Sequence, residues 1–393
     1  MAALEGFPRE LLAQPIDARL AYFVGKVVAH PRLKEAHQAL LGAIRQPAGA
    51  SLILVFGPTG VGKTTLRLRV EQQLIEEALP TLTGDPGRVP VVGLEAVAPD
   101  SGRFNWKDYY TRALMALDEP LVEHKIGYDI RSVRLSDAEQ LVIKQADTQE
   151  LRRALERCLC QRRPTAFIVD EAQHLKKMAS GRRLLDQMDN LKSLAALTGT
   201  VHVLVGTYEL LGLANLSAQL SRRSVEIHFG RYQAENSEDL LAFKSVLLTF
   251  QRHLPLIAEP NLVERWEYLY ERSVGCVGVL KNWLSRALAA VLEEGDATLT
   301  DRHLERQAEP TRKLLALARE IKEGEEVLSD TGRDPVELRA LLGLLPLAAR
   351  DDEGDRRPSV ASPVPPARRR INSVGQRRPT RDPVGEGSRE HGT

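Results

Sequence analysis

Ser51–Val70 reads SLILVFGPTGVGKTTLRLRV, and this stretch decides the fold. An apolar run, Ser51–Phe56, leads into Gly57, Gly62, Lys63 and Thr64 at the spacing G-x-x-x-x-G-K-[ST] of a phosphate-binding loop. Leu66, Val70 and Leu74 then recur at helical spacing. Strand, loop and helix in that order predict a cradle, Gly57-Pro58-Thr59-Gly60-Val61-Gly62, whose backbone N–H groups turn inward onto phosphate oxygens. The next helix directs its positive end at the same phosphates. Lys63 is placed to reach the β- and γ-phosphates, the Thr64 hydroxyl to hold Mg²⁺, and Thr65 to border the cradle. The ligand this predicts is a nucleoside triphosphate.

A second signature lies about a hundred residues on, in AFIVDEAQHL, where four apolar residues end in Asp170 and Glu171. Asp170, at the strand end, is placed to bind Mg²⁺ directly or through water. Glu171 is placed to orient and deprotonate an attacking water. The run VHVLVGTYEL predicts another buried strand, Val201–Val205, and its polar end at Thr207 can contact the attacking water or the γ-phosphate. Further strands are expected at Val89–Leu94 and in SVEIHFG. Five strands separated by helices, with Glu171 on a strand beside the phosphate loop, predict an α/β doubly wound parallel sheet.

Around this sheet, residues 1–50 read as a helical lead-in. Leu20, Phe23, Val27 and Val28 share one face, and Leu33, Ala36, Leu40 and Leu41 follow the His30–Pro31 break. This segment either packs beside the nucleotide base or serves as a plain packing helix. The helix behind the phosphate loop is expected to stop at Pro80, and Asn105 to cap a helix through FNWKDYYTRAL. Further helices are expected near 136–146 and over Thr148–Arg163 and Gly181–Leu197. Residues 51–235 form the nucleotide domain in this reading. Residues 236–310 form a lid of four helices, EDLLAFKSVLLTFQRHL, NLVERWEYLYERSV, GVLKNWLSRALAAVLEEG and LTDRHLERQA, with Ser237 and Thr300 as caps. Residues 311–349 read as a helical extension with a turn at TGRDP, and 350–393 as a disordered Arg/Pro-rich tail. The tail holds six arginines and no acid from Pro365 to Arg381, a patch suited to phosphate backbones or simply a solvated tail.

Composition supports a globular chain: 43% hydrophobic and 27% charged residues are ordinary values, and 393 residues exceed one compact core. The formal net charge of +1 neither demands nor excludes nucleic acid, so local charge has to decide. Three cysteines, Cys158, Cys160 and Cys276, lack metal spacing and read as packing thiols of a reducing compartment. Neither a signal peptide nor an apolar run of membrane-spanning length is visible, so a cytoplasmic protein without a membrane partner is expected.

Together the phosphate loop, acidic strand, polar strand end, the pair Arg222–Arg223 and the helical lid resemble an AAA+ ATPase over residues 15–310. More narrowly, AYFVGKVVAHPRLKEA, GPTGVGKTT, FNWKDYYTRAL, IVDEAQHL, VLVGTYEL, QLSRRSVEIHFGRY and GCVGVLKNWL resemble the transposition ATPases of the TniB/TnsC type. The resemblance implies ATP and Mg²⁺ as ligands, and assembly as rings or helical filaments on double-stranded DNA. It also implies a DDE-type transposase as partner, with a TniQ- or TnsD-like target selector in some systems. Residue by residue it implies phosphate-loop roles for Lys63 and Thr64, metal and water roles for Asp170 and Glu171, and the first sensor at Thr207. Arg222 falls at the position of a neighbour's arginine finger, with Arg223 as fallback, and Lys107 at a DNA-facing position. At the second-sensor position, where the resemblance implies arginine, this chain has Val279, so either Lys281 substitutes from the next turn edge or the second sensor is absent. A DEAH-type helicase is set aside, because no second sheet is expected after Asn236. A secretion or signalling ATPase acting on a protein partner, or an ATP-binding scaffold without turnover, would share the nucleotide residues.

Overall fold

The computed structural model describes residues 6–98, 104–120, 122, 147–175, 182–214, 223–329 and 334–344. The chain falls into two compact units, Met1–Ser329 and Asp330–Thr393. In the second, the described residues form one short helix, Asp334–Leu341. The expected helix near 136–146 and the tail 350–393 lie outside the described residues.

The first unit is built on five strands, β1 (Leu52–Phe56), β2 (Val91–Glu95), β3 (Ala166–Asp170), β4 (Val201–Gly206) and β5 (Ser224–His228). They pair in parallel in the order β2-β3-β4-β1-β5. Every residue of β1, β3 and β4 is buried, which is why these strands read as unbroken apolar runs rather than as alternation. Their side chains alternate between two helical layers. Ile53, Val55, Ile168 and Val203 face α2 (Pro31–Arg45) and α3 (Lys63–Leu82). Leu54, Phe56, Phe167 and Leu204 face α4 (Trp106–Ala116), α5 (Thr148–Arg162) and α6 (Arg182–Thr198). One strand position departs from the sequence reading. The acidic strand β3 is not beside the phosphate-loop strand, because β4 pairs with both and lies between them.

Several helices begin where a side chain satisfies their first N–H groups. The Asn105 side chain accepts from Asp108 N at 3.1 Å, and Asp147 and Glu150 close a capping box at the start of α5. After a one-turn helix α7 (Leu211–Ala214), the lid comprises α8 (Ser237–His253), α9 (Trp266–Ser273), α10 (Val277–Glu294) and α11 (Asp301–Gln307). Its core gathers Trp283, Phe243, Phe250, Leu280 and Leu284. A further helix, α12 (Thr311–Leu328), follows Pro310. The cap of α8 is Asn236, whose side chain accepts from Glu238 N and Asp239 N, and not Ser237, which is the first helical residue. Thr300 does cap α11, paired with His303.

Three further expectations change. α3 continues through Pro80 to Leu82. The missing N–H leaves the carbonyl one turn back, at exposed Glu76, to water, so the last turn survives. The expected helix NLVERWEYLYERSV is helical only over Trp266–Ser273. The lead-in divides: α1 (Ile16–Gly25) packs into the lid core through Phe23, while α2 packs on the sheet. Val27 and Val28 lie in the non-helical connection between them rather than on a helix face. No single helix among the described residues is long and apolar enough to cross a membrane. Cys158 and Cys276 are buried and Cys160 is exposed, all as free thiols.

Candidate active site

The site forms at the carboxyl ends of β1, β3 and β4, where the parallel strands end and their loops converge. Gly60 and Gly62 hold φ of 78° and 113°, left-handed values that a side chain resists. Gly57 is needed for a different reason: a Cβ there would stand 2.0 Å from the Phe229 carbonyl oxygen, a main-chain atom. Phe229 is fixed in turn by its N–H, which donates to the Phe56 carbonyl at 2.8 Å. The loop therefore rests on the residue after β5.

Lys63 is only 7% exposed, and its ammonium donates to the carbonyls of Gly57 at 3.0 Å and Pro58 at 2.9 Å. Burial pulls its pKa down, against the raising fields of Glu171 and then Asp170. The Thr64 hydroxyl donates to Asp170 Oδ2 at 3.0 Å, across 106 positions of sequence. Asp170 Oδ1 accepts from the Glu171 N–H at 2.9 Å. A hydroxyl and a carboxylate at this separation are the oxygen donors a hard divalent cation uses. Thr207 follows β4 on the neighbouring strand, and its Oγ1 is buried without a hydrogen-bond partner among the described residues. An orphaned hydroxyl, a buried ammonium resting on loop carbonyls and a glycine-lined cradle fit a polyphosphate with its metal.

These groups match a known pattern. Residues 45–213 match the protein-family description "AAA domain". This part of the chain is an AAA-type ATPase domain. No curated protein matches the sequence. Among solved structures, the chain is similar to the Aeropyrum pernix ORC1 protein in complex with DNA, at 16% identity and a TM-score of 0.49 over 78% of this chain and 70% of that one. It is also similar to the Aeropyrum pernix ORC2 protein in its ADP form, at 14% identity and a TM-score of 0.47 over 73% and 71%. AMPPCP-bound DnaA from Aquifex aeolicus shares 15% identity at a TM-score of 0.39 over 82% and 81%.

Other residues of the AAA domain and its lid were not singled out by sequence. Arg67, one turn beyond Lys63, brings its Nε within 3.4 Å of Asp170 Oδ2 and Nη1 within 3.2 Å of Glu71 Oε1. Gly93 in β2 makes room for that pair, since a Cβ there would meet Glu71 Oε1 at 1.9 Å. The only advance signal was the i, i+4 spacing of Arg67 and Glu71. The Gln173 amide lies between Glu171 and Thr207.

Lys281 stands differently from expectation. Its ammonium donates to the Val24 carbonyl at 2.5 Å, at the end of α1. Val279, two residues earlier, faces the loop apex, and a helix turns by about 200° over two residues. Lys281 is thus on the far side of α10, tied to the lead-in instead of the phosphates. Arg222 lies outside the described residues. Arg223 is exposed, and its carbonyl accepts from Ser51 N at 3.0 Å. Lys107 is exposed in the first turn of α4, while Trp106, Tyr109 and Tyr110 of the same helix pack against one another as an aromatic cluster.

Proposed function

We propose that this chain binds and hydrolyses ATP, assembles on double-stranded DNA when ATP is bound, and directs a DDE-type transposase to target sites. The observation that carries the hydrolytic part is the meeting of Thr64 and Asp170 at 3.0 Å beside the buried Lys63 ammonium. In this reading Lys63 exchanges the Gly57 and Pro58 carbonyls for the β- and γ-phosphates. Glu171 accepts the proton of the attacking water, and the unpartnered Thr207 hydroxyl takes the γ-phosphate or that water. Mg²⁺ held by Thr64 and Asp170 would neutralise charge on the phosphate oxygens. Arg222, supplied by a neighbouring subunit, would complete the site on assembly.

The DNA part is supported by exposed Lys107, which α4 presents on a helix held by its aromatic cluster, and by the motif order shared with the TniB/TnsC type. ATP turnover measured with and without duplex DNA tests the whole reading. Duplex is expected to raise turnover in the intact chain. Lys63→Ala is expected to lose nucleotide binding, and Glu171→Gln to bind nucleotide without turning it over. Stimulation by a protein or peptide and none by DNA would favour a secretion or signalling ATPase instead.

A further inference from the structure

Beyond Val169↔Leu204 the β3–β4 register ends. Asp170 and Glu171 on one side, and Val205 to Thr207 on the other, lie past the last paired residues of these two strands. Backbone pairing between β3 and β4 therefore does not set the distance between the base and the polar end of β4. A side chain does. Gln173 sits in the turn Ala172–Leu175 just after β3, only 6% exposed. Its Nε2 donates to the Glu171 carboxylate, and its Oε1 accepts from the Thr207 N–H at 3.3 Å. Both ends of one amide are engaged, each by a group from a different strand end.

Two other features are built around this amide. A Cβ on Gly206 would lie 2.4 Å from Gln173 Oε1, so the strand end is kept bare where the amide crosses it. Glu171 holds φ of 51°, a left-handed value that a non-glycine residue resists. The turn retains it there, with His174 N donating to the Glu171 carbonyl at 3.0 Å. A strained backbone that aims a carboxylate, an amide that fixes it and a glycine that admits the amide form one device.

We propose that Gln173 is a positioning residue for hydrolysis: its amide orients the Glu171 carboxylate and ties it to the Thr207 main chain, so that both move as one unit. This rests on the reading of Glu171 as the base. The link itself is read in nucleotide-free protein from the Thr207 methyl resonance. Glu171→Ala is expected to shift that resonance in the wild-type background and to leave it still in a Gln173→Ala background. In turnover, Gln173→Ala is expected to lower kcat by about 10- to 100-fold, the scale of a misplaced catalytic group, with nucleotide affinity within about twofold. Should Gln173→Ala fail to fold, Gly206→Ala displaces the same amide and is expected to reproduce both results. A Thr207 signal that follows Glu171→Ala equally in both backgrounds overturns the link. Unchanged kcat in Gln173→Ala, with Glu171→Gln inactive, overturns the positioning role alone. Normal turnover by Glu171→Gln overturns the base assignment, and the resonance experiment still decides whether the link exists.

Discussion

The backbone N–H of Val279, in the first turn of α10, donates to the carbonyl of Gly60 at the apex of the phosphate loop, 3.1 Å away. Lid and loop therefore touch through main chain at the point where the family resemblance implies an arginine. The neighbouring glycine makes that approach possible: a Cβ on Gly278 would stand 2.4 Å from Gly60 O.

Gly278→Ala separates two effects of opposite sign. Helix propensity alone favours alanine by about 1 kcal/mol. The clash is with a main-chain oxygen that cannot rotate away, and overpacking of this kind costs about 1–3 kcal/mol. The variant is expected to show a lower denaturant midpoint and weaker binding of a fluorescent nucleotide. A raised midpoint with unchanged affinity would mean that the lid does not bear on the loop.

Arg67 is expected to matter through the two acids it touches. Arg67→Met leaves Asp170 and Glu71 with like charges and no guanidinium, and Glu71 already has its pKa raised by burial despite Arg67. Stability is expected to fall by about 2 kcal/mol, below the full cost of breaking a deeply buried pair. Adding Glu71→Gln is expected to recover part of the loss, which thermal melts of the single and double variants measure. Equal losses in both would place the effect elsewhere than in the charge pair.

Two buried histidines give the fold an acid limit. His30 Nδ1 accepts from Leu33 N at 3.3 Å and caps α2, a role open only to the neutral ring. His202 Nδ1 pairs with the Thr200 carbonyl at 3.0 Å, and its Nε2 is buried without a partner among the described residues. Burial pulls both down to about 4 from 6.5, with Arg69 adding to the effect at His30. Between those values the unfolded chain binds more protons than the folded one, so stability rises with pH. It is full above about 6.5 and lost as pH falls towards about 4, with on the order of 2 kcal/mol per ring gone at pH 5. Denaturant unfolding at pH 7.5 and pH 5 measures this. His202→Leu is expected to remove one ring's share of the difference, and an unaltered difference would contradict the assignment.

Much of this site was legible because its residues are locally encoded. A glycine spacing sets the loop, and a strand too apolar to face water ends in two acids at Asp170–Glu171. What could not be read depends on which strand ends meet. β4 separates β1 from β3 because of crossovers that no local pattern states, and so Gln173 bridging Glu171 to Thr207 was invisible. Lys281 was misplaced because its partner, the Val24 carbonyl, is 257 positions away. Pro80 looked like a stop because the rule concerns a lost N–H, whereas exposure at the helix end makes that loss cheap. Asn236 and Ser237 are both good caps, and only backbone geometry separates them.

Assembly is tested by mixing. An arginine supplied in trans contributes roughly 10³–10⁵ in rate in related phosphoryl transfer. Arg222→Ala is expected to lose turnover while keeping nucleotide affinity. Mixed with Glu171→Gln protein, it is expected to regain part of the activity through hybrid interfaces. No regain at any ratio, with assembly confirmed by light scattering, would contradict supply in trans.

The central claim, ATP-dependent assembly on DNA, is tested most directly by fluorescence anisotropy on several unrelated duplexes across a salt series, with the grip expected to rest on phosphates rather than base edges. The intact chain and Lys107→Ala are compared with and without a non-hydrolysable ATP analogue. Contacts to phosphate release counterions, so affinity is expected to fall steeply with salt and to differ little between duplexes. Binding is expected to need the analogue, because an assembled ring or filament aligns many weak contacts at once. Lys107→Ala is expected to weaken every duplex alike and to flatten the salt slope. Tight binding to one sequence only, or equal binding without nucleotide, would contradict the account.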